Sequence, residues 1–318
     1  MSRETIKVAQ PKPKKPRKKN DILFKGAVED FFPYVLRFFY HNADEIFDMD
    51  KGFEWLNTEL HEIQPQLSQK GGSRSADVLV KVHMKNGSTE LFLLHLELQK
   101  ATNRNFSRRV FEYWYRLTDR FRLPVVSLAV FTGLKSQLQP DQYKFSLLGT
   151  VLKFKYNMYQ IFNHTEEELL QMDNPFALVI IAAQQEAIYN DNEQDGLLNT
   201  RMKIVRALAA SEKFNYAKIG SVLYFMGQLI PLSHKKLKGI FDQELTTLFG
   251  GKITMGIMEA VRAQILEEGV EKTEARKNHD FVENLIKKFG FSDEQAATAA
   301  DVTIGFVKNV RKEISSRK

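Results

Sequence analysis

Two carboxylates, Asp77 and Glu97, and the amide of Gln99 stand in a stretch, residues 75–100, whose alternation decides what they can do. The even positions Val78, Val80, Val82 and Met84 are apolar in its first half, as are Phe92, Leu94, Leu96 and Leu98 in its second. Strand side chains alternate faces with a period of two, so both halves read as strands, and Asn86-Gly87 between them reads as a hairpin turn. Two even-numbered rows share a face only if paired residues have the same parity, which requires an odd number of loop residues. The spacing therefore predicts a three-residue loop, Lys85, Asn86 and Gly87, with Gly87 left-handed in a bulge and Met84 paired with Ser88.

In that register Asp77 stands opposite His95 and diagonal to Glu97, and Asp77, Glu97 and Gln99 fall together on the other face. Two carboxylates converging in this way suit one hard cation held by oxygen ligands. Acids on the outer face of a strand pair are also ordinary solvated decoration. Leu79, Leu91 and Leu93 share this face, however, and a carboxylate set among apolar neighbours calls for a partner or a metal.

The elements that would position these groups follow from periodicity. Residues 26–40 carry Val28, Phe31, Phe32, Val35, Leu36 and Phe39 on a helical stripe, with Glu29 off it, facing water or offered to a neighbouring site. Residues 53–63 read as a first strand, and Pro65 with Gly71-Gly72-Ser73 as the loop before the hairpin. Residues 103–121 read as a helix ending before Pro124. On it Arg109, Tyr113, Arg116 and Arg120 form one basic and aromatic face, with Arg108 and Tyr115 beside it. Such a face either keeps the helix soluble or holds phosphate, onto which a guanidinium forks. The apolar run Val125–Phe131, between Pro124 and Gly133, reads as a strand buried on both faces, and residues 151–162 as a further strand.

Composition narrows the classes. With 318 residues, 43% of them hydrophobic and 27% charged, the chain has length for one large domain or two ordinary ones. It has no cysteine, which excludes disulfides, thiolate zinc sites and cysteine nucleophiles. No apolar run reaches the roughly 20 residues a membrane span needs, and no signal-peptide core is read at the start, so a cytoplasmic protein away from membranes is expected. The formal charge of +7 sits entirely in residues 1–20, where Pro11, Pro13 and Pro16 interrupt the run. That segment reads as a disordered basic arm, either binding phosphate backbones or solubilising the chain.

From residue 164 the pattern becomes helical, with helices expected over 176–189, 196–211, 216–229 and, strongly charged, 254–277. His234 among Lys235, Lys236 and Lys238 reads as a solvated basic patch. Ser292 and Gln295 have capping-box spacing, and Ala296, Ala297, Ala300, Val302, Val307 and Val310 then fall as in a helix-turn-helix or a plain helical hairpin. Lys308, Arg311 and Lys312 would lie on its second helix, while Asp301 stands where that motif usually has glycine. The expected organisation is an arm over 1–20, an α+β domain over 21–163, a helical region over 164–280 and a helical hairpin over 281–318.

The order helix, strand, hairpin, helix, buried strand, with an acidic pair on the hairpin, resembles the PD-(D/E)XK nuclease superfamily. More narrowly the chain looks like the recombination-promoting nuclease, or putative transposase, family of bacteria. The residues that carry the likeness are Asp21-Ile22-Leu23-Phe24-Lys25, Ala76-Asp77-Val78, Leu96-Glu97-Leu98-Gln99, the Arg109 to Tyr113 helix face and Asn174-Pro175-Phe176-Ala177-Leu178. The resemblance implies a restriction-endonuclease-like αβββαβ core with a mixed sheet followed by an all-helical region. It further implies Mg²⁺ on Asp77, Glu97 and the carbonyl of Leu98, with Mn²⁺ able to substitute. Glu29 would be the helix-borne acid, and DNA the partner, along Arg108, Arg109, Tyr113 and Arg116. Pairing into a homodimer stays open. Gln99 stands where the superfamily usually has lysine, and glutamine can hydrogen-bond a water but not take its proton. The expected activity is weakly specific, metal-dependent DNA cleavage linked to recombination or transposition, with a non-cleaving nucleic-acid-binding protein as the rival.

Overall fold

The computed structural model describes residues 17–56, 78–97, 105–134, 140–188, 194–250, 278–279, 281–283, 285–287, 292–300 and 302–316. They form a mixed α+β structure. By contact the chain divides into two units, residues 1–204 with 225–237, and residues 205–224 with 238–318.

In the first unit α1 (Arg17–Asp30) is followed by α2 (Phe32–Phe39) and a short α3 (Ala43–Ile46). The arm read over 1–20 ends earlier, because residues 17–20 are already helical: Pro16 is the last proline of the arm, and residues 17–20 carry no breaker. The single helix read over 26–40 is two, because Pro33 lacks an N–H and its ring would clash with a preceding turn, so it is confined to the first turn of a new helix.

The main sheet has strand order β1-β2-β3-β4-β7, from β1 (Glu54–Trp55), β2 (Val78–His83), β3 (Thr89–Glu97), β4 (Val125–Phe131) and β7 (Asn157–Gln160). β1 and β3 flank β2 antiparallel, whereas β3, β4 and β7 are parallel neighbours. Of the first strand read over 53–63, only the two residues of β1 are extended among those described. The reading of β4 holds, since Ser127, Leu128, Ala129, Val130 and Phe131 are all buried.

Each face of the sheet has its own cover. On the even-numbered face Val78, Val80, Val82 and Phe92 are buried, and the Phe32 ring of α2 meets Phe92 edge-on at 5.9 Å. On the odd-numbered face lies α4 (Phe106–Phe121), whose buried stripe Phe106, Val110, Tyr113 and Leu117 has the spacing of one helical face. Tyr113 and Leu117 pack with Leu56 and Leu79; Phe106 and Val110 pack with Ala129, Phe131 and Tyr156. α4 stops at Arg122, left-handed at φ 56°, just ahead of Leu123-Pro124.

Between β4 and β7 the chain makes a separate two-stranded ribbon, β5 (Gln142–Leu147) and β6 (Thr150–Lys155). The continuous strand read over 151–162 is therefore two strands in different sheets. It breaks at Tyr156, whose N–H donates to Asp141 O at 3.0 Å.

Helices follow: α5 (Glu166–Gln171), α6 (Pro175–Ile188), α7 (Gln194–Ala210), α8 (Tyr216–Leu229) and α9 (Lys235–Phe249). Pro175 opens α6, and Asn174 Oδ1 accepts from Phe176 N at 2.9 Å while its Nδ2 donates to Tyr34 O at 2.9 Å. This asparagine both caps α6 and ties it to α2. Eleven α6 residues are buried, and the helix packs on α1 and α2. The domain boundary read at 163 is thus displaced: the helices after it, as far as residue 204, belong to the sheet's unit. In the second unit α10 (Asp293–Ala300) and α11 (Ile304–Ser316) share a buried cluster with Val282, Leu285 and Ile286. Among the described residues no helix is long and apolar enough to cross a membrane.

Candidate functional site

The hairpin β2–β3 has the register that parity requires. Val78 pairs with Leu94, Val80 with Phe92 and His83 with Thr89, so paired residues share parity. Met84 N donates to Ser88 O at 2.9 Å, Gly87 N donates to Met84 O at 3.0 Å, and Gly87 has φ 88°. The three-residue loop with a left-handed glycine is the one the alternation predicts. Asn86 Oδ1 secures it by accepting from Ser88 N at 2.9 Å and Ser88 Oγ at 2.8 Å.

Glu97 closes β3, level in the parallel ladder with Phe131 of β4, which is level with Gln160 of β7. The carboxyl ends of parallel strands in an open sheet are where ligands gather. Asp77, Leu98 and Gln99 lie outside the described residues, as does the side chain of Glu97. The odd face they were assigned to is apolar at its centre: Leu79 is fully buried under α4. Lys81, also odd-numbered, donates from Nζ to Glu54 Oε2 of β1 at 2.6 Å, a cross-strand ion pair. Glu29 is half-buried on α1, its Oε1 3.9 Å from Lys25 Nζ, and α1 itself meets β3.

The helix face is redistributed. Tyr113 is only 9% exposed and packs on Leu79 and Leu117, so it belongs to the core rather than to a nucleic-acid-binding surface. The stripe 106, 110, 113, 117 carried that signal, since a tyrosine in step with Phe, Val and Leu faces where they face. Arg108, Arg116 and Arg120 are exposed; Arg108 donates to Glu112 at 2.9 Å, and the Arg109 guanidinium lies 5.3 Å from the Phe106 ring centroid.

No family model, curated protein or solved structure matches the chain. Among the described residues no group of three or more His, Asp or Glu could hold a metal ion. Asp77, Glu97 and the Leu98 carbonyl are all hard oxygen donors, a set that suits Mg²⁺ and not a thiolate-seeking metal.

Two features escaped the sequence reading. The first is an aromatic seam joining α4 to the ribbon: Phe111 stacks on Tyr143 at 5.4 Å, with Phe154 at 5.5 Å, and Trp114 lies 5.1 Å from Phe154. Below it Tyr156 Oη donates to Pro140 O at 2.6 Å, and burial pushes this phenol up to about 12. The spacing Phe111, Trp114, Tyr115 was the available clue. The second is the helical partner of the C-terminal pair. Ser292 and Gln295 form the expected reciprocal cap, at 3.2 and 3.0 Å, but the cluster also takes in Val282, Leu285 and Ile286. Lys308 and Lys312 are exposed on α11, whereas Arg311 Nε donates to Asp293 Oδ1 at 2.6 Å and so braces α10. Asp301 and residues 254–277 lie outside the described residues.

Proposed function

We propose that the chain is a metal-dependent DNA endonuclease of the PD-(D/E)XK type, hydrolysing phosphodiester bonds with weak or no sequence specificity. What supports this reading is the same-parity register of β2 and β3, with the helix–strand–hairpin–helix–strand order around it. A one-residue slip would send the odd positions of the two strands to opposite faces. In this reading Asp77, Glu97 and the Leu98 carbonyl would hold Mg²⁺, which would supply Lewis acidity toward water. Gln99 would hydrogen-bond the attacking water, Glu29 would support the acidic pair, and Arg108, Arg109 and Arg116 would hold the strand through phosphate contacts.

The alternative, a nucleic-acid-binding protein that does not cleave, draws on two features. Gln99 cannot take a proton, and Lys81, of the right parity, is engaged by Glu54. Plasmid nicking with and without Mg²⁺ separates the two, using the parent chain, Asp77→Ala and Glu97→Ala. Metal-dependent nicking lost in both variants is expected. Nicking that survives both substitutions removes these acids from the mechanism, and retarded DNA without nicking across several divalent metals assigns the binding role.

A further inference from the structure

The ribbon β5–β6 has two halves. Its base is anchored, because the paired Tyr143 and Phe154 both reach the Phe111 ring of α4. Its far half is bare: Phe145 is 42% exposed, Leu147 58%, Val151 74% and Leu148 98%. Phe145 and Leu147 lie on one face of the ribbon, Val151 on the other and Leu148 in the turn, so the end is apolar on all sides, which is a signature of contact with something else.

The turn points the same way. Leu148 has φ 47° and Gly149 φ 83°, positive at both central residues of a two-residue hairpin loop. Asn-Gly is the usual occupant of that geometry, and a leucine held left-handed in full solvent is a poor choice for the turn alone. On the ribbon face opposite Phe145, Lys144 and Lys153 are direct cross-strand partners, both exposed. Like charges so placed repel unless an anion joins them.

We propose that the ribbon is a DNA-engaging arm, in which Lys144 and Lys153 each hold a backbone phosphate while Leu148 enters a base step from the minor groove as an apolar wedge. Wedges of this kind unstack a step and bend the duplex. The rings of Tyr115, Phe111 and Tyr143 lie nearly parallel, at 22° and 23°, and end in Tyr115, which is 56% exposed. That open ring lies at the ribbon's anchored end, where Tyr143 is five residues from Leu148 in sequence, and the sugar or a base edge of a flanking nucleotide can pack on it. An acidic membrane would also receive lysines around an apolar tip, but it gives no part to a ring stack ending in an open tyrosine. DNA accounts for the lysine pair, the tip and the rings together.

The inference rests on DNA as the partner in the function proposed above, and not on cleavage. Its test uses the full chain in EDTA, with a short duplex labelled at both ends to read affinity by anisotropy and bending by energy transfer. Lys144→Gln/Lys153→Gln is expected to weaken binding about tenfold and to flatten the log–log salt dependence by about 2. Leu148→Asn suits the turn better, so the fold is retained; it is expected to leave affinity within about threefold while abolishing the bend. Variants that bind and bend the duplex like the parent overturn the arm. So does Leu148-dependent sedimentation with phosphatidylglycerol vesicles without any duplex bending, which would assign the ribbon to a membrane. Because no metal is present, absent nicking by the parent in Mg²⁺ sinks the nuclease reading alone, whereas unchanged duplex binding in Lys144→Gln/Lys153→Gln, or an unchanged bend in Leu148→Asn, sinks the arm alone.

Discussion

Replacing Leu79 by alanine tests the claim on which the apolar character of the odd-numbered face depends. Leu79 is fully buried against Leu56, Tyr113 and Leu117, with Phe121, Leu123 and Val125 around it. Removing three carbons forfeits about 2.4 kcal/mol of transfer free energy at about 0.8 per methylene. The cavity under a rigid α4 brings the total to about 3–4 kcal/mol. Both tryptophans, Trp55 and Trp114, lie in the sheet's unit, so indole fluorescence in urea follows that unit. With m near 2.5 kcal/mol/M the midpoint should fall by about 1.2–1.6 M. Leu147→Ala on the exposed ribbon end is the control, expected to move it by no more than about 0.2 M. A Leu79 shift as small as the control's would mean that α4 does not seal this face. The odd-numbered face would then not be the apolar setting in which Asp77 and Glu97 need a partner or a metal.

Two further outcomes follow from local geometry. Gly87→Ala meets no atom within 4 Å, so its cost is that of the φ 88° backbone alone, about 1 kcal/mol, read as a lower urea midpoint with unchanged m. Burial raises the folded-state pKa of Tyr156 to about 12, above the ordinary value of 10.0. The stability it contributes is therefore complete below pH 10 and lost as pH rises toward 12, by up to about 1.4 kcal/mol per pH unit. Tyr156→Phe should flatten that alkaline decline while costing about 1 kcal/mol at neutral pH through the lost bond to Pro140 O; a decline equally steep in the variant would assign it to other groups.

The hairpin register was legible because parity leaves no freedom: two even-numbered apolar rows around Asn86-Gly87 admit only an odd loop. β4 was legible for a similar reason, as an unbroken apolar run bounded by Pro124 and Gly133 is what a strand covered on both faces looks like. The Ser292 cap is local, and its spacing specifies it. What escaped the reading depended on partners distant in sequence. Nothing at Tyr156 marks a strand break; it ends β6 because the phenol is held by Pro140 and the next strand joins a different sheet. α9 was hidden by its opening lysines, although Phe241, Leu245 and Phe249 recur every four residues and are buried. The site itself was only partly legible. Arginine spacing on α4 suggested one uniform face, but a helix lying on a sheet must give one stripe to the core, and Tyr113 is on it.

β4 and β7 are adjacent parallel strands, and such neighbours need a long crossing, usually a helix, to return the chain to the same edge. Here a ribbon occupies that crossing, so one segment both returns the chain to the sheet's edge and forms a small sheet of its own. Its anchored half, Tyr143, Phe154 and Tyr156, should tolerate little change, since errors there would unseat β7. Its free half, around Leu148, can drift in composition without cost to the scaffold, which lets natural variation retune what that end touches while the strand carrying Glu97 stays in place.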